Sequence, residues 1–253
     1  MSEYRRNTRM VVCIVAVLAA GAITVGGLAY LGSTGGWWFN WNQAKTTFVF
    51  HEDLGNTTGT VLLDIKLSAG SFSLVFVDNS SLLYRMSVEV QNITLQQYGN
   101  PVVTFVGNRI ALDYQAAGVN VTLGSGVRYA VHGNLSAGAV TATLGQGAHL
   151  ANMSLTTSAG GITVVMTEQM NFTGDVPVNL RTSSGAISLN ADLSPSVGGS
   201  FEASVTLGAI SVNAPSWTQV TQNHYETANY DTASDTVTIV ASTTAGAVSA
   251  NLS

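Results

Sequence analysis

The chain has 253 residues, of which only 9% are charged, against about 25% in an ordinary soluble domain. With 46% apolar residues and a net charge of −5, it is neither a disordered polyelectrolyte nor a nucleic-acid binder. The first needs fewer apolar residues or more charge, and the second needs a basic patch. Glycine (26 residues), serine (25) and threonine (28) supply the polarity instead. The single cysteine, Cys13, rules out an intramolecular disulfide. A cysteine-free outer portion leans toward a prokaryotic source.

The N-terminal run opens at Met10, closes at Leu31 and carries no charge over 22 residues. About 20 apolar residues cross a bilayer core as a helix, so residues 10–31 are expected to be a transmembrane signal anchor. Arg5, Arg6 and Arg9 precede it against one acid, Glu3, whereas six basic and thirteen acidic residues follow. The positive-inside bias then makes residues 1–9 a cytoplasmic tail of a single-pass cell-membrane protein, with the C-terminal part extracellular. A cleaved signal peptide is the competing reading; its apolar region usually spans about 7–15 residues before a small-residue site. Residues 32–44 read as a Gly/Trp-rich stalk. Trp37, Trp38 and Trp41 suit the membrane interface, where indole rings favour the headgroup layer; a sugar-stacking patch is the alternative.

Residues 45–253 read as an extracellular all-β domain. Alternation at period two recurs in Val61-Leu63-Ile65-Leu67, Phe72-Leu74-Phe76, Val119-Val121-Leu123 and Val237-Ile239. A five-residue unit also repeats: glycine, a small residue, Val or Ile, Ser or Thr, and an apolar or small residue. Its copies start at Gly138, Gly160, Gly185, Gly208 and Gly246, at spacings of 22, 25, 23 and 38 residues. A relaxed copy starts at Gly70. Glycine supplies a positive φ or a close backbone approach at a corner. The short strand after it turns Val or Ile inward and Ser or Thr outward. One such unit cannot bury its apolar face, so neighbours must stack, about 4.8 Å apart. The expected architecture is β-solenoid-like stacked short strands over 116–253, with 45–115 as less regular capping strands. Asn190, Asn213 and Asn251 each fall five residues after their glycine and are expected to stack as a ladder. A sandwich whose hairpins share turn chemistry is the alternative.

These Gly-x-Ile/Val-Ser/Thr strands behind an N-terminal apolar segment resemble the putative-adhesin family of prokaryotic surface proteins. The resemblance covers residues 60–253 and implies a toastrack-like β fold and a cell-surface location. Members often carry an acidic residue at the corner; this chain has Gly-Ala there, so no cation-binding role follows.

Asn-x-Ser/Thr triplets occur at Asn56, Asn79, Asn92, Asn120, Asn134, Asn152, Asn171 and Asn251, about twice the number expected by chance. Apolar middle residues such as Ile93, Val121, Met153, Phe172 and Leu252 would turn Asn and Ser/Thr together toward solvent. The first seven are candidate N-glycosylation sites; Asn251 is too near the end.

No catalytic, cofactor-binding or metal-ligating residues are assigned. His51, His132, His149 and His224 lack metal-ligand spacing, and His51-Glu52-Asp53 reads as a solvated loop. Residues 129–253 hold one base, Arg181, and seven scattered acids, a poor basis for acid–base chemistry. The sequence therefore predicts a non-enzymatic, adhesin-like or surface-structural protein without a cofactor. Its partners would be the membrane, and surface polysaccharide, surface-layer protein or further copies of itself. The alternative is a filament subunit assembled by strand exchange, through its N-terminal segment or residues 243–253. A surface carbohydrate-active enzyme comes third.

Overall fold

The computed structural model describes residues 44–253. The expected tail, anchor and interfacial tryptophans Trp37, Trp38 and Trp41 lie outside those residues. Lys45–Ser253 form one unit that is almost entirely β. In chain order, its strands are β1 (Lys45–Asp53), β2 (Thr60–Phe76), β3 (Leu82–Gln91), β4 (Thr104–Val106), β5 (Arg109–Leu123), β6 (Arg128–Leu144) and β7 (Leu150–Ala159). Then follow β8 (Ile162–Met166), β9 (Asp175–Ala191), β10 (Val197–Asn213), β11 (Thr218–Thr221), β12 (His224–Glu226) and β13 (Asp235–Leu252). One short helix, α1 (Asn92–Tyr98), follows β3 and buries none of its residues.

All thirteen strands belong to one sheet. Its body is a parallel stack in the order β5-β2-β6-β7-β9-β13-β10, with β8 between β6 and β9. β7 and β8 are two halves of a single layer, interrupted at Gly160 and Gly161. Every layer turns a corner midway, and the residues on both sides of it face the same interior. In β2, Leu63, Ile65 and Leu67 before Gly70, and Phe72, Leu74 and Phe76 after it, are all buried. The two halves pack on each other at Gly133, where an added Cβ would lie 3.0 Å from both the Phe72 ring and Leu155.

The corner is a line of glycines crossing the stack: Gly70, Gly138, Gly160, Gly185, Gly246 and Gly208. Their φ angles run from 129° to 149°, a region L side chains rarely enter. Space is as decisive as torsion. A Cβ on Gly138 would stand 1.8 Å from the Gly70 carbonyl oxygen, and one on Gly160 would stand 1.7 Å from that of Gly138. Each corner peptide thus rests against the bare Cα of the next layer.

Spatial order departs from chain order at both ends. β2, placed by sequence among capping strands, runs in the body between β5 and β6. β13 inserts between β9 and β10. Residues 243–253, which the strand-exchange alternative would send to a neighbour's edge, lie in an interior strand whose two backbone edges pair within the chain. The GAISLN, GAVSAN and GAISVN segments of β9, β13 and β10 are so alike that each offers its neighbours nearly the same surface. Long-range packing, rather than chain order, decides which lies in the middle.

The ends are finished differently. Beyond β5, the half after the corner continues antiparallel into β3 and then β1, while the half before it is covered by β4. Beyond β10, only Ser200, Phe201 and Glu202, all before the corner, gain a neighbour, β12, which pairs with β11. Trp217 tucks under this hairpin, where bare Gly199 leaves room for its ring.

Candidate functional site

The outward side of the stack is built of rows running across the strands. One row carries Asn134 (β6), Thr156 (β7), Arg181 (β9), Ser242 (β13) and Ser204 (β10). Lys66 of β2 and Asp113 of β5 extend it. Two residues nearer the corner, Ser136, Ser158, Ser183, Thr244 and Thr206 form a second row with hydroxyls in all five layers. Alternation fixes this arrangement, because the residues between them point into the core. Adjacent side chains in a row are about 4.8 Å apart.

Around Arg181 the rows enclose a shallow open groove of about 320 Å³, lined by Thr156, Arg181, Ser183, Thr206, Ser242 and Thr244. Threonines replace leucine directly beneath it: the inward column that reads Leu67 and Leu135 becomes Thr157, Thr182 and Thr243. Thr182 Oγ1 donates to the Gly160 carbonyl at 3.2 Å, while Thr157 Oγ1 is buried with no partner. Arg181 is exposed. The ion pairs among the described residues are Lys45–Glu89, Arg109–Asp64, Lys66–Asp64 and His224–Glu226. Its guanidinium is in none of them. A planar five-donor cation amid hydroxyls suits an anionic, hydroxyl-rich ligand, since guanidinium binds carboxylate or sulfate through two parallel hydrogen bonds.

The Asn ladder expected from sequence is present, in a new order. Asn213 Nδ2 donates to Asn251 Oδ1 at 2.7 Å, and Asn251 Nδ2 donates to Asn190 Oδ1 at 2.9 Å. Among the candidate glycosylation residues, Asn56, Asn79, Asn120, Asn134 and Asn171 are exposed, and Asn152 is half-buried. Asn120-Val121-Thr122 and Asn171-Phe172-Thr173 turn their apolar middle residue inward. Asn92 differs: it opens α1, so Ile93 is exposed, and its Oδ1 accepts from Thr46 Oγ1 at 2.9 Å.

One polar cluster was not legible in the sequence. Ser200 Oγ lies 3.1 Å from His224 Nε2, and Glu226 Oε1 lies 3.2 Å from the same nitrogen. These residues are 24 and 26 positions apart and meet only because β12 pairs with β10. The trio has the residue types of a serine-nucleophile relay but not its geometry. A relay holds the base by one ring nitrogen and takes the serine proton on the other, whereas both contacts here fall on Nε2. Ser200 is also buried. The trio fastens the cap. His51, Glu52 and Asp53 lie not in a loop but at the exposed end of β1, where alternation keeps them from converging. His149 is half-buried beside Arg128; desolvation, and then the guanidinium charge, hold its pKa below the usual histidine range. Among the described residues, no three His, Cys, Asp or Glu side chains are grouped to hold a metal.

No protein-family model matches the chain, and no curated protein matches it. Solved structures do. A putative cell adhesion protein from Clostridium sporogenes overlays with a TM-score of 0.67 at 13% identity, covering 83% of this chain and all of its own. A putative adhesin from Bacteroides fragilis covers 83% of this chain and 98% of its own at 8% identity; its TM-score of 0.28 is too loose to support the fold. The chain thus shares its overall fold with the first of these proteins.

Proposed function

We propose that the chain is a membrane-anchored, outward-facing adhesin-like protein whose β-stack, solenoid-like in its repetition, binds acidic surface polysaccharide without chemical turnover. The observation that carries this reading is the groove of hydroxyl rows around an unpaired Arg181. The likeness of fold to a cell adhesion protein supports the adhesive role. The charge-free run at residues 10–31, with arginines before it, supports the anchor. Repeated rows give many weak, equivalent contacts, which suits a polymer better than a small molecule.

Full-length chain in detergent, tested on immobilised polygalacturonate and on uncharged dextran, separates the possibilities. Retention on polygalacturonate should weaken as salt rises and drop at least tenfold in Arg181→Gln, with Arg181→Lys retaining part of it. Equal retention of the wild type and Arg181→Gln, or equal binding to dextran, would overturn the role of Arg181.

A further inference from the structure

We infer that residues 35–40 of one copy of this chain form an added layer on the open edge of β10 in a second copy. On one side β10 pairs with β13 throughout; on the other, only Ser200, Phe201 and Glu202 have a partner strand among the described residues. Beyond the corner, Ile210 and Val212 continue interior columns yet are only partly buried, whereas Val248 and Ala250 in the layer beneath are buried. Tyr225 of β12, level with the buried Phe201, is also only partly buried. The corner line stops in the same way. Gly138, Gly160, Gly185, Gly246 and Gly208 each set a bare Cα against a carbonyl oxygen of the layer before, but the Gly208 oxygen has no glycine against it among the described residues. Asn213 donates to Asn251, and its Oδ1 accepts no hydrogen bond among the described residues. A further strand here thus needs glycine at the corner, apolar residues two and four positions on, and asparagine at the fifth.

Residues 35–40 read Gly35-Gly36-Trp37-Trp38-Phe39-Asn40. In the whole sequence, only Gly35, Gly185, Gly208 and Gly246 are followed by glycine or alanine, an apolar residue, any residue, a second apolar residue and asparagine. The last three are the corners of the adjacent layers β9, β10 and β13. With Gly35 set level with Gly208, Trp37 and Phe39 continue the columns of Ile210 and Val212. Asn40 then arrives level with Asn213 and brings a donor for its free Oδ1. Ser33 extends the hydroxyl row that ends at Thr206. An outermost layer has no neighbour beyond it to limit side-chain size, so Trp and Phe fit where inner layers carry Val, Ile or Ala. Neither residues 32–44 nor residues 205–213 contain a charged side chain. Their pairing therefore desolvates no charge and takes apolar rings out of water.

The donated segment comes from a different copy. Asn40 and Lys45 are five residues apart, at most about 18 Å of extended chain. The added layer and β1 stand nine strand spacings apart in the sheet, about 43 Å. Natural edge strands are usually guarded by lysine, proline or a bulge; β10 after its corner has none of these. Main-chain pairing along such an edge, with alternate side chains filling the columns, is a general mode of strand addition. Residues 41–44 separate the donated segment from the donor's own β1, so none of the donor's described strands has to pair with the receiving copy. The donor's β10 edge stays open to a third copy, so the contact is head-to-tail and propagates. Gly35 lies four residues beyond Leu31, which on the anchored reading keeps such a row close to the membrane. The pairing itself needs neither the anchor nor the Arg181 groove.

In this register Trp38 and Ser211 share a level and face outward on adjacent strands, about 4.8 Å apart and within the Cα range of a disulfide. Full-length chain in detergent, with Cys13→Ala as background, is prepared as Trp37→Cys, as Trp38→Cys and as Ser211→Cys. On mild oxidation, Trp38→Cys mixed with Ser211→Cys should yield a disulfide dimer at least tenfold faster than either alone. Trp37→Cys mixed with Ser211→Cys should react at least tenfold more slowly than that mixture, because residue 37 faces inward. Adding Gly35→Ala to Trp38→Cys should slow trapping by a similar factor, since the new Cβ would meet the Gly208 oxygen. The receiving copy carries no change at Gly35, so its own fold is unaffected. No dimer from the first mixture would overturn the inference. Equal rates for Trp37→Cys and Trp38→Cys would mean loose proximity instead of a paired strand and would overturn it too, as would an unchanged rate on adding Gly35→Ala.

Discussion

Gly160 illustrates how much of this fold rests on the absence of one carbon atom. Its φ is 144°, and a Cβ would stand 1.7 Å from a backbone oxygen that cannot move without shifting the next layer. Gly160→Ala combines backbone strain with overpacking and should cost about 2–5 kcal/mol. Gly59, also at positive φ but with open space around its Cα, should lose only about 1 kcal/mol on the same change. Urea unfolding of the two variants tests the contrast; equal losses would mean that torsion alone, not close approach, demands glycine at the corner. Tyr129 offers a second residue-level test. Its hydroxyl donates to the Leu83 carbonyl at 2.7 Å, its ring meets Phe76 edge-on at 5.8 Å, and burial pushes its pKa well above the usual tyrosine range. A raised folded-state pKa means that the contribution is complete below pH 10 and is lost as pH rises beyond it. The native protein should therefore lose melting temperature above pH 10, and Tyr129→Phe should flatten that loss. At neutral pH the variant should be about 1 kcal/mol less stable for want of the hydrogen bond.

The strands show which parts of such a fold a sequence states openly. Glycine followed by a small residue, Val or Ile, and Ser or Thr states a corner, an inward face and an outward face, all of them local properties. The Asn ladder was legible for the same reason: three asparagines at one offset from three corner glycines must share a level if their strands are neighbours. Which of the three lies in the middle was not legible, because β9, β13 and β10 carry nearly interchangeable segments. The answer depends on β11, β12 and the turns that return the chain to the gap. Energetically, the middle position matters. Asn251 makes two amide–amide bonds and Asn213 one. Asn251→Ala should thus cost about 1 kcal/mol and Asn213→Ala about half of that, measured as shifts in the urea midpoint. A larger loss at Asn213 would contradict the ladder's order.

At the scale of the whole molecule, the missing signals are those that join distant parts of the chain. The Arg181 row draws on five strands and the Ser200–His224–Glu226 trio on two, and neither leaves a spacing pattern to read. Scarcity of charge was the useful clue: a single base among residues 129–253 stands out once the rows are laid side by side. The stack also carries a consequence for how the protein comes into being. β13 follows every other described strand along the chain, yet it fills an interior layer. Until β13 emerges, β9 and β10 each face an empty slot, and the layers on either side of it have no backbone contact with each other. Completion of the stack therefore waits for β13. A product that stops before β13 is not a slightly shorter stack but a split one, with two raw edges for proteases or neighbouring chains to find.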